Sequence, residues 1–412
     1  MAEAIDTDSI PPRKLIICCD GTWNQRDSAK SATNVAKMAR AISPIDKQGI
    51  SQLIYYHPGV GTGNWLDRML GGGFGLGLSG NIRSAYAFLV DNYRPGDEIF
   101  LFGFSRGAFT ARSLAGLVGL IGVLQKIDME NFGQIYEIYQ SRTYRKKIFS
   151  TDFEQAQNEI RKMFPDGEAN GKNRKILEAI GAADRPNFLF VGVWDTVGAL
   201  GMPWPFSWIG GSKIQFHDTD INENITYAYH ALAIDERRGS FKPTLWTRPI
   251  RSGQARRQAL EQVWFSGVHS NVGGGYDDPG LSDIAFLWMV AKAASAAEEK
   301  GDRPLAFEEG YLREKIDHGM GALIDSRKRL FKMLPQAIRQ VAAPVKEGSE
   351  TCERIHRSVF DRCDCPPPGK FKPFPYRPDN IARFLEPRDS SLIAELSEFE
   401  LKYRQGATGD AK

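Results

Sequence analysis

The sequence of 412 residues has only five cysteines, two adjacent (Cys18, Cys19) and three late (Cys352, Cys363, Cys365). They are too few and too unevenly placed to form a disulfide framework in a chain this long, so reduced thiols are expected. The late group, with His356, has the spacing of no familiar zinc finger, and no metal is expected. Long apolar runs are also missing. The longest, Phe109 to Leu124, is interrupted by Arg112 and several glycines, and it falls short of the roughly 20 residues of a membrane span. The first residues carry Glu3, Asp6 and Asp8 and lack the basic start and apolar stretch of a secretory signal. Charge of one sign is scarce as well: 53 Lys+Arg stand against 50 Asp+Glu, a net of +3, which argues against a dedicated nucleic-acid binder. The glycine-dense stretches 59–63 and 71–77 lack the Lys-Ser/Thr of a phosphate loop and the acid of a dinucleotide fold, so no nucleotide cofactor is expected.

What remains is an ordinary globular composition, 42% hydrophobic and 25% charged. Short apolar runs end repeatedly in Gly or Asp: Leu15–Cys19, Leu53–Tyr56, Glu98–Phe102, Phe188–Val193, Pro243–Trp246 and Val263–Phe265. Such continuous runs, separated by helical patterns at Asn81–Asn92, Ala108–Leu124 and Asp283–Lys300, predict an α/β fold with a mostly parallel central sheet covered on both faces. The long polar stretch 125–185 breaks this rhythm and reads as a helical cap inserted into a core of residues 1–300. Strand signals stop near residue 300, and 301–412 reads as a helical and Pro-rich extension packed on the core.

The stretch Glu98 to Ala108 runs a strand through Gly103-Phe104-Ser105-Arg106-Gly107 directly into a helix. G-x-S-x-G in that context is a nucleophile elbow, in which glycine on either side removes the β-carbons that the tight turn would bring into collision. Ser105 is the candidate nucleophile, and the N–H of Arg106, at the helix N-terminus, is a donor for the oxyanion. A second donor is expected on the loop after the first strand, where Gly21 permits close approach and Thr22 or Trp23 supplies the N–H. Of six histidines, His269 alone follows a late strand and opens a glycine-rich loop. Asp195 ends the strand Phe188–Val193 and is the expected acid, with Asp235, Asp277, Asp278 and Asp283 as competitors.

At these residues the chain resembles the uncharacterised α/β-hydrolase family that includes the catalytic domains of type VI secretion phospholipase effectors. The stretches that carry the resemblance include CDGTWN (19–24), PGDEIFLFGFSRGAFTARSLAG (95–116), VGVWDTVGALG (191–201), YHALAIDERR (229–238) and WFSGVHSNVGGGY (264–276), with a further piece at RIHRSV (354–359). The resemblance implies a serine hydrolase of the α/β-hydrolase fold with Ser105, Asp195 and His269 as its triad.

Trp204, Phe206 and Trp208, three aromatics in five residues after the proposed acid, suit an acyl pocket or contact with a lipid surface. Phe104, beside the serine, is a further candidate for substrate contact. The expected activity is cleavage of carboxylic esters, of lipase or phospholipase type, without cofactor. Esters of small soluble or carbohydrate molecules, and a non-catalytic binding role, are the alternatives. The expected location is cytoplasmic, with export by a dedicated type VI machine left open.

Overall fold

Strands buried on both faces must be apolar along their whole length, because every side chain meets a packed layer. Phe188–Trp194 (FLFVGVW) is buried at all seven positions and Lys14–Cys19 at all six. The computed structural model describes residues 11–21, 31–59, 73–140, 171–197, 220–250, 258–296, 303–315, 321–327, 335–364, 375–386 and 388–405. Within them run strands β1 (Lys14–Cys19), β2 (Gln52–His57), β3 (Glu98–Phe104), β4 (Phe188–Trp194), β5 (Ile225–Ala233), β6 (Arg248–Pro249), β7 (Ala259–Phe265), β8 (Ser349–Glu350), β9 (Glu353–His356) and β10 (Ile393–Ala394). The helices are α1 (Asn34–Ala41), α2 (Gly73–Asn92), α3 (Arg106–Ile121), α4 (Phe132–Gln140), α5 (Gly171–Gly181), α6 (His269–Gly273), α7 (Gly280–Ser295), α8 (Glu309–Lys315), α9 (Arg357–Asp364) and α10 (Glu398–Gln405).

Eight strands form one sheet in the order β10-β9-β7-β5-β4-β3-β1-β2, and every pairing among them is parallel. The two-residue pieces β6 and β8 pair separately, antiparallel. Alternate side chains of one strand enter different layers. Ile99 and Leu101 of β3 join Tyr86, Leu89, Phe109 and Leu114 of α2 and α3, whereas Phe100, Phe102 and Phe104 join Val35, Met38, Phe286 and Met289 of α1 and α7. Each such large apolar side chain contributes on the order of 1.5–3 kcal/mol on burial, and this double cover fixes the sheet.

The expected α/β class holds, and three details of the strand pattern differ. Pro243–Trp246 is no strand: Pro243 makes only an isolated bridge with Val197, and the Trp246 N–H donates to the side chain of Gln262. Pro lacks the N–H a ladder needs. β5 was not among the expected strands, because Tyr227, Tyr229 and His230 dilute its apolar run. Beyond residue 300, β9 and β10 extend the sheet at one edge, and a third cluster joins Leu232 and Trp264 to Val341, Ile355, Val359 and Phe360. α4 and α5 lie in the expected cap stretch, of which 141–170 fall outside the described residues.

Candidate active site

β3 delivers Ser105 and α3 begins one residue later, with no room for a loop between them. Ser105 adopts φ 58° and ψ −119°, a region that L-residues rarely enter and that persists only when the surroundings enforce it. The enforcement is visible on both sides. A β-carbon at Gly103 would lie 2.6 Å from the Ala108 Cα, and one at Gly107 would lie 2.0 Å from the Cys19 carbonyl oxygen. α3 thus starts directly against the end of β1, and the Ser105 N–H donates to the Trp194 carbonyl at 3.1 Å.

Trp194 pairs with Phe104 in the sheet, so the next residue, Asp195, leaves β4 beside the elbow. Asp195 also has positive φ, 41°. Its Oδ2 lies 2.5 Å from His269 Nδ1, and its Oδ1 accepts from the Ala233 N–H at 3.0 Å. Three of the four competing acids are occupied elsewhere. Asp235 accepts from the Gly267 N–H and Tyr376, Asp278 from the Gly280 and Ala322 N–H groups, and Asp283 pairs with Lys37.

His269 opens α6 just after β7, its ring 4.7 Å from that of Phe104 and 5.0 Å, edge-on, from that of Phe241. Its N–H donates to Glu236 Oε2 at 3.3 Å. The loop that follows is pinned to α1: Asn34 Nδ2 donates to the Val272 and Ser282 carbonyls, and Thr33 bridges Gly274. Thr33 is also the N-cap of α1, and its hydroxyl donates to Asp20 Oδ2 at 2.6 Å. Asp20 accepts as well from Tyr56 and from the Gly21 N–H, each at 2.6 Å. The buried Asp20 carboxylate therefore ties the loop after β1 to the helix that holds the His269 loop.

Ser105, Asp195 and His269 thus lie at the carboxyl ends of β3, β4 and β7, with β5 between the last two, and all three are buried. Arg106, half-buried, is the first residue of α3, and Gly107 next to it lies against the Cys19 and Asp20 carbonyls, one residue before Gly21. The Gly21 N–H is engaged by Asp20, and the other expected oxyanion donors are Thr22 and Trp23. These two, with Trp204, Phe206 and Trp208, lie outside the described residues. Phe104 is buried under Gly273 and against His269, so its ring packs beneath the His269 loop.

Sequence reasoning missed Arg339. Its guanidinium donates to Asp195 Oδ1 at 2.6 Å and Oδ2 at 3.0 Å, and to the carbonyls of Ala233 and Phe241. Burial pushes the Asp195 carboxyl up, but the Arg339 charge and the His269 contact more than offset this and hold it far below the usual carboxylate range. Glu236, paired with Arg238 at 2.8 Å, is likewise held down against its burial. His230 of β5 accepts from the Thr196 N–H at 3.0 Å and faces Gln262 Oε1 at 3.1 Å. Its burial, with the nearby Arg112 charge, brings the imidazole down to about 3, so it stands neutral behind the acid. In the tail, His356 has both ring nitrogens engaged, by Ser358 at 2.7 Å and Glu400 at 3.0 Å. Cys365 lies outside the described residues.

Residues 13–292 match the family described as T6SS phospholipase effector Tle1-like, catalytic domain. A protein of Saccharomyces cerevisiae, the uncharacterised YEL023C, is 29% identical over 250 residues, which cover 57% of this chain and 33% of that protein. Two solved structures resemble the chain loosely. An uncharacterised protein from Pseudomonas aeruginosa is 17% identical with a TM-score of 0.41, over 74% of this chain and 48% of that one. The Tle1 effector bound to the VgrG spike of the type VI secretion system is 18% identical with a TM-score of 0.32, over 66% and 52%. The chain therefore spans about a third of the curated relative and about half of each solved chain.

Proposed function

The chain belongs to the family of Tle1-like phospholipase-effector catalytic domains, and from that premise and the site geometry we propose that it hydrolyses carboxylic esters of lipids through Ser105, His269 and Asp195. The observation that carries the reading is the conjunction of a strained serine at a strand-to-helix turn with an Asp–His pair at 2.5 Å at the carboxyl ends of β4 and β7 of the same sheet. Ser105 Oγ attacks the ester carbonyl while His269 Nε2 accepts its proton. Asp195, on Nδ1, holds the tautomer that leaves Nε2 free and stabilises the imidazolium that forms. The tetrahedral oxyanion takes the N–H of Arg106 and a donor from Thr22 or Trp23. His269 then returns the proton to the alcohol leaving group, and water resolves the acyl-enzyme by the same steps in reverse. Trp204, Phe206 and Trp208 are proposed to meet the acyl chain or the lipid surface, whereas the buried Phe104 ring would act on substrate only through the His269 loop it underlies.

Two chemistries are separated by one experiment: wild-type and Ser105→Ala protein are given mixed phospholipid vesicles and short p-nitrophenyl esters, and released fatty acid and lysolipid are quantified. The expected result is release from vesicles that falls by at least about 10³-fold in Ser105→Ala. Cleavage of short esters alone would move the substrate to small soluble esters, and full activity in Ser105→Ala would end the proposal.

A further inference from the structure

The cation facing Asp195 comes from outside the family match, 144 residues further along the chain. We infer that Arg339 is a positioning residue of the hydrolytic site, fixing the plane of the Asp195 carboxylate and competing with His269 for its charge. This rests on the reading of Ser105, His269 and Asp195 as the hydrolytic triad.

Arg339 is held in place by its own stretch of chain. The Gly239 N–H donates to the Pro335 carbonyl at 3.0 Å and the Ala337 N–H to the Arg237 carbonyl at 3.1 Å. The Ala342 N–H donates to Glu353 Oε2 at 2.9 Å, and Arg383 donates to the Val341 carbonyl at 2.8 Å. A segment tied at both ends presents the guanidinium, and both terminal nitrogens are used twice, once on the carboxylate and once on a carbonyl. Asp195 is 0% exposed and Arg339 5%, so little solvent screens the pair. The planar fork spans both carboxylate oxygens, which one ammonium cannot do.

The consequence reaches the base through Asp195. Arg339 shares the negative charge that would otherwise face the imidazole alone, so the acid dependence of the site depends on Arg339 as well as on the Asp195–His269 contact. The other charged and titratable groups around His269 are few among the described residues. Glu236 accepts its N–H, Arg238 pairs with Glu236, Tyr276 and Asp325 lie in the field of that pair, and His230 stands neutral behind Thr196. The rings of Phe104 and Phe241 pack against the imidazole without charge.

The test reads the pH dependence of Ser105 labelling by a fluorophosphonate, together with the nitrogen-15 NMR signature of the His269 tautomer and its contact with Asp195, in wild type, Arg339→Gln and Arg339→Lys. Removing the charge in Arg339→Gln should move the acid limb of labelling upward by about one pH unit. Arg339→Lys keeps the buried charge balance and hence the fold. Its acid limb should stay at the wild-type position while labelling at the plateau falls about 10- to 100-fold, because the carboxylate is no longer fixed. An unmoved acid limb in Arg339→Gln, with only a lower melting temperature, would assign Arg339 a purely structural role. Should Arg339→Gln not fold, full plateau labelling in Arg339→Lys overturns the inference. Absence of labelling at Ser105 in wild type would instead strike the triad reading, and the NMR signature would still report whether Arg339 acts on the Asp195–His269 contact.

Discussion

At Asp195 one carboxylate serves an imidazole and a guanidinium, and stability and chemistry meet in a single side chain. Its backbone has φ 41°, its oxygens are shared between His269 and Arg339, and it has no exposure to water. Asp195→Asn removes the charge that holds the imidazole tautomer and leaves the Arg339 guanidinium buried without its partner. The expected outcome is a fall in kcat of about 10⁴-fold and a loss of about 3–5 kcal/mol in stability. The two effects should separate. Asp195→Asn combined with Arg339→Met removes the orphaned charge and should recover much of the stability but none of the rate, as seen in urea unfolding beside ester hydrolysis. A double variant no more stable than Asp195→Asn alone would show that the Asp195–Arg339 pair is not what costs the single variant its stability.

The elbow is an element-scale object, because its strain is enforced by the contact of α3 with the end of β1. A methyl group at Gly107 has nowhere to go, with the Cys19 carbonyl oxygen at 2.0 Å and that of Asp20 at 2.6 Å. Gly107→Ala should therefore displace the loop after β1, which carries Gly21 and leads to the proposed second oxyanion donor. The expected loss is about 10²–10³ in kcat, with destabilisation on the order of 1–3 kcal/mol. Gly80→Ala, in α2 with nothing within 4 Å, is the matched control and should be neutral or stabilising by up to about 1 kcal/mol. Equal losses in the two would mean that crowding against β1 is not the cause. The same elements show what a sequence reveals. β1, β3 and β4 are legible because burial on both faces makes them unbroken apolar runs, and Ser105 because strand, glycines and helix converge on it. β5 was hidden by its tyrosines and His230, and β9 and β10 by their shortness. The contacts of Thr33 and Asn34 across to the His269 loop, and of Arg339 to Asp195, join residues more than 100 positions apart, which no local pattern announces.

At the scale of the whole molecule, a buried polar chain crosses the sheet and couples the site to overall stability. His230 accepts from Thr196 after β4 and faces Gln262 on β7, and Gln262 donates in turn to the carbonyls of Trp246 and Thr351. An imidazole whose value falls from 6.5 to about 3 on folding is neutral in the native state and protonated in the unfolded chain between those values. The unfolded state then binds the extra proton, so the stabilisation is complete above about pH 6.5 and is lost as pH falls toward 3. The slope is about 1.4 kcal/mol per pH unit. His57, also lowered by burial, acts in the same sense. The depressed carboxylates Asp195, Glu236 and Glu400 lose their contribution only from the ordinary carboxylate range downward, whereas Asp235, raised by burial, acts above that range in the sense opposite to histidine. His230→Gln, which retains an acceptor for Thr196, should cost about 1–3 kcal/mol at pH 7 and flatten the decline between pH 6.5 and 4.5. Urea unfolding at pH 7, 5.5 and 4.5 measures both, and an unchanged slope in the variant would place the acid sensitivity elsewhere in the fold.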